Sequence, residues 1–220
     1  MKRTILITGA NRGIGLSFTK LFKEKGDEVI ALCRKASPEL KSLGVTVYEG
    51  VEVRDEKSLI DVAHKIQNKN IDILINNAGI YLNDDLNFSF EKISEQLEVN
   101  TLAPLKVTKV FLPLLKRGSK IAMMTSLMGS IADNMSGGYY GYRMSKAALN
   151  AAGKSLSLDL REKGIAVVLL HPGYVKTDMT QGRGEITPDH SAKGLIEVIE
   201  KLDISSSGTF FDYEGDELPW

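Results

Sequence analysis

Seven short runs of apolar and β-branched residues punctuate the chain: Thr4–Thr8, Glu28–Leu32, Thr46–Tyr48, Ile71–Ile75, Lys120–Thr125, Ala166–Leu170 and Gly208–Phe211. Most are continuous rather than alternating, the pattern of strands buried on both faces. Between them lie stretches of helical period: Ile14–Lys25, Glu56–Asn68, Phe90–Lys116, Gly141–Lys163 and Pro188–Lys201. Leu59, Val62, Ala63 and Ile66 fall at i, i+3, i+4 and i+7, which is one buried helix face. Strand–helix alternation predicts an α/β fold, a doubly wound parallel sheet of Rossmann type with right-handed crossovers. No linker or repeat interrupts it, so residues 1–220 read as a single domain. The glycine-containing breaks at Ser136-Gly137-Gly138 and Asp178–Thr187 both follow a strand, where such folds hold ligands.

Composition narrows the function. Lys+Arg and Asp+Glu number 28 each, and this zero balance argues against nucleic acid or an anionic membrane as partner. Cys33 is the only cysteine, which excludes an intramolecular disulfide and a Cys-rich zinc site. His64, His171 and His190 are scattered, so no metal is expected. No apolar run approaches the roughly 18 residues that span a bilayer. The apolar stretch near Met1 is too short for a signal peptide and reads as a first strand, giving a cytoplasmic expectation.

The first candidate chemistry is Thr8-Gly9-Ala10-Asn11-Arg12-Gly13-Ile14-Gly15, between the first strand and the first helix. Gly9 permits a tight turn, Gly13 lets backbone approach a pyrophosphate, and Gly15 lets the helix pack on the sheet. The helix start then offers N–H groups and partial positive charge to phosphates. The second strand ends in Cys33-Arg34-Lys35. An acid near this place holds the ribose 2′-OH in NAD sites, and none stands there. Arg34, with Arg12 in the glycine loop, suits a 2′-phosphate, so NADP(H) is expected over NAD(H). The competing reading of Arg34-Lys35 is a solvated turn.

The second candidate is Tyr142-Arg143-Met144-Ser145-Lys146. Residues four apart share a helix face, about 6 Å apart along the axis. A lysine cation there favours the phenolate of a tyrosine that can act as acid or base on a carbonyl/alcohol pair. Tyr139 and Tyr140 are out of register with Lys146. Ser126, at a strand's carboxyl end, can hydrogen-bond a substrate oxygen, with Ser130 as a rival. Asn100 sits in a helical pattern where asparagine is unfavourable, which points to a task for its amide.

Together, Thr8-Gly9-x-x-x-Gly13-x-Gly15, Asn76-Asn77-Ala78-Gly79, Asn100, Ser126, Tyr142-x-x-x-Lys146 and Pro172-Gly173 resemble the short-chain dehydrogenase/reductase family, in order and along essentially the whole chain. The resemblance implies a catalytic tetrad of Asn100, Ser126, Tyr142 and Lys146, with Tyr142 exchanging the proton and Ser126 steadying the substrate oxygen. Lys146 would lower the Tyr142 pKa and hold ribose hydroxyls, and Asn100 would hold a water linking Lys146 to solvent. It further implies cofactor contacts from Gly9, Asn11, Arg12, Gly13, Ile14, Gly15 and Arg34. Asn77, Ala78 and Gly79 would line the adenosine ribose while Asn76 braces the sheet. Pro172, Gly173, Val175 and Thr177 would cover the nicotinamide. Glu52-Val53 stands where the family has Asp-Val beside adenine. The gap of 16 residues between Ser126 and Tyr142 is longer than usual there, absorbed by Ser136-Gly137-Gly138.

Finer features, among them Ala31-Leu32-Cys33-Arg34 and the ending Glu217-Leu218-Pro219-Trp220, resemble the branch holding C-factor and the sniffer-type carbonyl reductases. That implies an NADP(H)-dependent oxidoreductase acting on a small-molecule carbonyl or alcohol, as a homodimer or homotetramer. The alternative is a cofactor-binding sensor or signalling protein with little turnover. Met128 and Met135 are candidates for an apolar substrate pocket, His171 for packing beneath the cofactor loop, and Trp220 for a C-terminal anchor. The small residues Ala147, Ala148, Ala151, Ala152 and Gly153 permit close packing on either the sheet or a partner helix.

Overall fold

The computed structural model describes residues 2–220. Its strands are β1 (Thr4–Thr8), β2 (Glu28–Leu32), β3 (Thr46–Tyr48), β4 (Ile71–Asn76), β5 (Leu115–Met124), β6 (Ala166–His171) and β7 (Phe210–Asp212). They form one parallel sheet in the order β3-β2-β1-β4-β5-β6-β7. The helices are α1 (Gly13–Glu24), α2 (Pro38–Ser42), α3 (Glu56–Lys65), α4 (Phe90–Leu97), α5 (Ala103–Phe111), α6 (Tyr140–Asp159) and α7 (Pro188–Lys201).

Strand residues alternate between two cores, one on each side of the sheet. Ile5, Ile7, Ile73, Ile75, Val168 and Leu170 pack with Phe18 and Phe22 of α1 and Leu195 and Ile199 of α7. Leu6, Ile30, Leu74, Ile121 and Val167 pack with Leu59 of α3, Val107 and Phe111 of α5, and Leu149 of α6. Burial on both faces is why the strands read as unbroken apolar runs. The chain winds outward through β2 and β3, then crosses back to β4, so β1 and β4 part in opposite directions at their carboxyl ends. That switch point is the crevice where this architecture binds ligands.

Five elements named below differ from expectation. The single helix expected over Phe90–Lys116 is α4 and α5 joined by a π-helical turn, Glu98–Leu102, and ended by a 3₁₀ turn at Leu112–Leu114. Strand β5 starts at Leu115, pairing first with Ile71 across a register shift before Lys120 pairs with Ile73. The short helix α2 was absent from the periodicity, although Ser37 caps it by accepting from Leu40 N–H and Pro38 opens it. Helix α6 ends at Asp159 rather than Lys163, and β7 begins at Phe210 rather than Gly208.

Trp220 is an anchor on the domain itself: its ring stacks on Phe210 at 5.8 Å and its carbonyl accepts from Ala132 N–H at 2.9 Å. Gly153 faces the sheet, where a Cβ would crowd Leu169, while Ala151 on the same helix is exposed. No helix among the described residues is long and apolar enough to cross a membrane.

Candidate active site

The glycine loop joins β1 to α1. Gly9 and Gly13 have φ of 65° and 53°, left-handed values that favour glycine. A Cβ on Gly9 would stand 3.0 Å from the Ala78 Cα, and one on Gly15 would run into the Gly9 carbonyl and the Asn77 amide. The loop is therefore pressed against the end of β4 at the switch point. Thr8 and Asn77 hold it there. The Thr8 hydroxyl accepts from the N–H groups of Asn77 and Ala78 at 3.0 and 3.1 Å, and Asn77 Nδ2 donates to the carbonyls of Thr8 and Gly9. The two Asn77 amide hydrogens are thus spent on the loop, and Oδ1 is left over. Asn76 points into the sheet, its amide donating to Thr108 Oγ1 at 3.2 Å and lying 3.4 Å from Met123 Sδ, and braces β4 as expected.

The start of α1, like those of α5 and α6, has no side-chain cap. Side chains of Ser37, Asp55, Ser89 and Thr187 cap α2, α3, α4 and α7. Helix α1 begins after Arg12 with no acid in its first turn. Its free N–H groups point into the crevice, a cradle suited to an anion. The donor set and the cradle that any Cβ would fill fit the pyrophosphate of a dinucleotide.

Thr177 forms the opposite wall. Its methyl lies 3.3 Å from where a Gly13 Cβ would be. Gly173, at φ 80°, turns the chain away from His171 under Tyr213 and Ile186. The Pro172 carbonyl accepts from the Ser191 hydroxyl at 2.6 Å, and Val175 is buried and bridged to Ile186. Arg12 reaches across this mouth and pairs with Asp178 at 2.6 Å, both side chains being exposed. Asn11 and Ile14 flank the cradle, half-buried.

Beyond β2, Cys33 is buried and Arg34 is exposed. Burial pushes the Cys33 thiol up, and the nearby Glu49 adds to this. Glu49 accepts from Ala36 N–H at 2.7 Å and so shapes the turn that carries Arg34 and Lys35. That N–H holds its carboxyl below the usual range. Glu52 turns to Arg54, 3.3 Å away. Burial raises the Glu52 carboxyl, but Arg54, with Arg34 assisting, outweighs it and the net direction is down. Val53 packs beside the buried cluster under α3 and α5.

The reacting end gathers around Lys146. Its ammonium is buried, donates to the Met124 carbonyl at 2.8 Å, and stands 5.6 Å from the centre of the Tyr142 ring. A Cβ on Gly79 would lie 3.7 Å from Lys146 Nζ and 3.2 Å from Asn100 Oδ1, so the turn after β4 touches the same place. Asn100, inside the π-helical turn, receives Ile80 N–H on Oδ1 at 2.8 Å and donates from Nδ2 to the Ile80 carbonyl at 2.9 Å and Ser145 Oγ at 3.0 Å. Both amide hydrogens are used, and Oδ1 keeps one acceptor position. The turn is the local price of seating this amide between two chain segments.

Burial pushes the Tyr142 phenol up to about 12, with the Ser126 hydroxyl pulling it back and Tyr81 adding to the rise. Burial pulls the Lys146 ammonium down to about 8. Desolvation of the buried ring therefore favours the neutral phenol of Tyr142. Ser126 lies two residues beyond β5 and its Oγ accepts from Met128 N–H at 3.2 Å. Ser130 Oγ is turned to Asp133 N–H at 3.1 Å. Burial pulls the His171 imidazole down to about 4, against Asp212 and Asp133, and its Nδ1 has no hydrogen-bond partner. Met128 is half-buried, whereas Met135 is 92% exposed and lines no enclosed pocket. At the exposed turn after β7, Asp212, Glu214 and Asp216 bring ligand atoms together, but one Asp212 oxygen already accepts three backbone N–H groups.

The sequence pointed to the glycine loop, Asn100, Ser126, Tyr142 and Lys146, and the structure brings them to the two ends of one crevice. Thr8 as the clasp of the glycine loop, Glu49 at the Arg34 turn, and the Tyr81–Asp84 segment against α6 were not singled out. Only Thr8 carried a local signal, being the polar residue ending an apolar strand before the glycines.

Comparison with known proteins agrees with this arrangement. The profile of the short chain dehydrogenase family matches residues 3–187. The chain is 45% identical over 157 residues to the C-signal of Myxococcus xanthus, covering 68% of this chain and 93% of that one. The NADPH-bound carbonyl reductase from chicken fatty liver superposes with a TM-score of 0.90 at 33% identity, covering 100% of this chain and 99% of that one. The 1-hydroxy-2-glutathionyl-2-methyl-3-butene dehydrogenase of Rhodococcus sp. (strain AD45) is 39% identical over 224 residues, 99% of either chain. A family profile spanning most of the chain and a dehydrogenase relative matched end to end mean that this chain belongs to the short chain dehydrogenase family of oxidoreductases.

Proposed function

We propose that the chain is an NADP(H)-dependent carbonyl reductase acting on small aldehydes or ketones. The observation that carries the reading is the buried Tyr142–Lys146 pair: a phenol held neutral beside an ammonium, with the Ser126 hydroxyl near it. A nicotinamide held there would supply the hydride for the carbonyl carbon. Tyr142 donates its phenolic proton to the carbonyl oxygen, and Ser126 donates a hydrogen bond to that oxygen as it gains charge. Lys146 stabilises the resulting phenolate by charge and holds ribose hydroxyls. Asn100 positions Gly79 and Ile80 against Lys146, and its remaining acceptor position holds a water through which the proton is replaced. The α1 start with Gly9, Asn11, Gly13, Ile14 and Gly15 takes the pyrophosphate. Ala78, Gly79, Glu52 and Val53 border adenosine, and Pro172, Gly173, Val175 and Thr177 border the nicotinamide. Arg34 meets the 2′-phosphate, with Arg12 joining once it leaves Asp178.

Leu102, Met144 and Leu158 leave apolar side chains exposed on the π-helical turn and α6, which supports a homo-oligomer paired through these helices. The deciding experiment is a panel of aldehydes and ketones with NADPH or NADH oxidation as readout. Turnover with NADPH exceeding that with NADH supports the proposal. The similarity to the C-signal favours one second reading, a cofactor-binding signalling protein. NADPH binding without turnover of any carbonyl or alcohol would favour it.

A further inference from the structure

We propose that Asp84 is a positioning residue for Tyr142, acting through the N-terminus of α6; this rests on the catalytic reading of Tyr142 given above. Helix α6 has no side-chain cap of its own, and the residue ahead of it, Tyr139, sits at a left-handed φ of 54°. A tyrosine keeps that conformation only where its surroundings hold it. A helix start enclosed in protein also leaves N–H groups that need acceptors.

Asp84, in the loop after β4, supplies both. Its Oδ2 accepts from Gly141 N–H at 2.9 Å, and its carbonyl accepts from Tyr139 N–H at 3.1 Å. Gly141 is the residue immediately before Tyr142. The carboxylate is 9% exposed and its other oxygen has no partner, so it is kept in an unfavourable place, offset by the positive end of the helix. The close approach is built from both sides. Gln96, fully buried, accepts from Leu82 N–H at 2.9 Å and fixes the loop. A Cβ on Gly141 would stand 2.5 Å from Gln96 Nε2 and 3.1 Å from Asp84 Oδ2, so only glycine lets the helix come this near. The same loop sets the Tyr81 ring edge-on to Tyr142, with centroids 5.2 Å apart.

The segment following Asn77-Ala78-Gly79 therefore grips the first turn of α6 twice, once on backbone and once on the phenol ring. Lys146 is fixed separately, by the Met124 carbonyl. Loosening the Asp84 contact moves the phenol relative to Lys146 and Ser126 while leaving the glycine loop intact.

The test compares Asp84→Ala, Asp84→Glu and Asp84→Asn in the full chain, measuring kcat, KM for the carbonyl and NADPH affinity. A displacement of about 1 Å costs on the order of 10²-fold in rate, so Asp84→Ala should lose tenfold to about a hundredfold in kcat. NADPH affinity should stay close to wild type. Asp84→Asn keeps an acceptor oxygen at the same reach and should recover most of the loss. If Asp84→Ala does not fold, Asp84→Glu carries the test, since it keeps the charge but misplaces the acceptor and should lower kcat alone. Unchanged kcat in Asp84→Ala or Asp84→Glu overturns the proposal, as does an equal loss of NADPH affinity, or Asp84→Asn no better than Asp84→Ala. If wild type turns over no carbonyl, the reading of Tyr142 falls instead. Hydrogen exchange at the Gly141 amide, slow in wild type and fast in Asp84→Glu, then still decides whether Asp84 holds the helix start.

Discussion

Replacing Tyr142 with phenylalanine removes one oxygen and leaves the ring where it is. The ring keeps its edge contact with Tyr81 at 5.2 Å and the Lys146 ammonium at 5.6 Å, so no sizeable cavity opens. For stability two small effects oppose each other. The polar contact of the phenol with the Ser126 hydroxyl is lost. The desolvation of a buried hydroxyl is relieved at the same time, so the net change should be within about 1 kcal/mol. The rate behaves differently. With the phenol pushed up to about 12, only about one in 10⁵ is ionised at pH 7, and the site rests in its acid form. Removing a positioned general acid costs about 10² to 10⁴ in rate, or roughly 3–5 kcal/mol on the barrier. The variant should therefore bind NADPH nearly as wild type and reduce an aldehyde at least about a hundredfold more slowly. Cofactor fluorescence titration and single-turnover NADPH oxidation measure the two quantities separately. A rate within tenfold of wild type, or an equal loss of binding and rate, would refute the assignment.

Three further outcomes follow from the same geometry. Ser126→Ala should lower kcat much more than Ser130→Ala, because the Ser126 hydroxyl and not that of Ser130 acts on the Tyr142 phenol; steady-state kinetics giving the reverse ranking would move the substrate oxygen along the loop. Arg34→Ala should weaken NADPH about tenfold to a hundredfold, as for one charged hydrogen bond, and barely affect NADH, while Cys33→Asp should shift preference toward NADH; dissociation constants for both cofactors decide it. Because burial lowers Lys146 to about 8, its ammonium is present below that pH and lost above it, so kcat/KM for NADPH should fall as pH rises through about 8. The same fall in Lys146→Met would assign the break to another group.

The sequence alone specified the layers. β1 and β2 are legible because a strand buried on both faces must be apolar throughout, and that is a local property; β3, a half-exposed edge strand, is marked instead by its β-branched and aromatic residues Thr46-Val47-Tyr48. The glycine loop was equally plain, since left-handed backbone at Gly9 and Gly13 leaves a composition signature. The i, i+4 relation of Tyr142 and Lys146 needed only the helix period. Helix α2 was also written locally, in Ser37-Pro38-Glu39, although hydrophobic periodicity over five residues does not reveal it.

Tertiary structure decided the rest, because those features depend on segments distant in sequence. The apolar period through Phe90–Lys116 continues across Glu98–Leu102, and nothing in it marks a π-helical turn. The turn exists because Asn100 bonds to Ile80 and Ser145, 20 and 45 residues away. The early start of β5 depends on pairing with Ile71. The burial of Tyr142 is likewise a tertiary property. A lysine one turn away favours the phenolate, but desolvation by surrounding chain segments favours the phenol, and in a buried site desolvation is the larger effect. Asp84 is the extreme case. An aspartate between Asn83 and Asp85 in a polar stretch reads as a loop residue, and only the folded chain places it 57 residues onward against Gly141, at the start of the helix that carries the reacting pair.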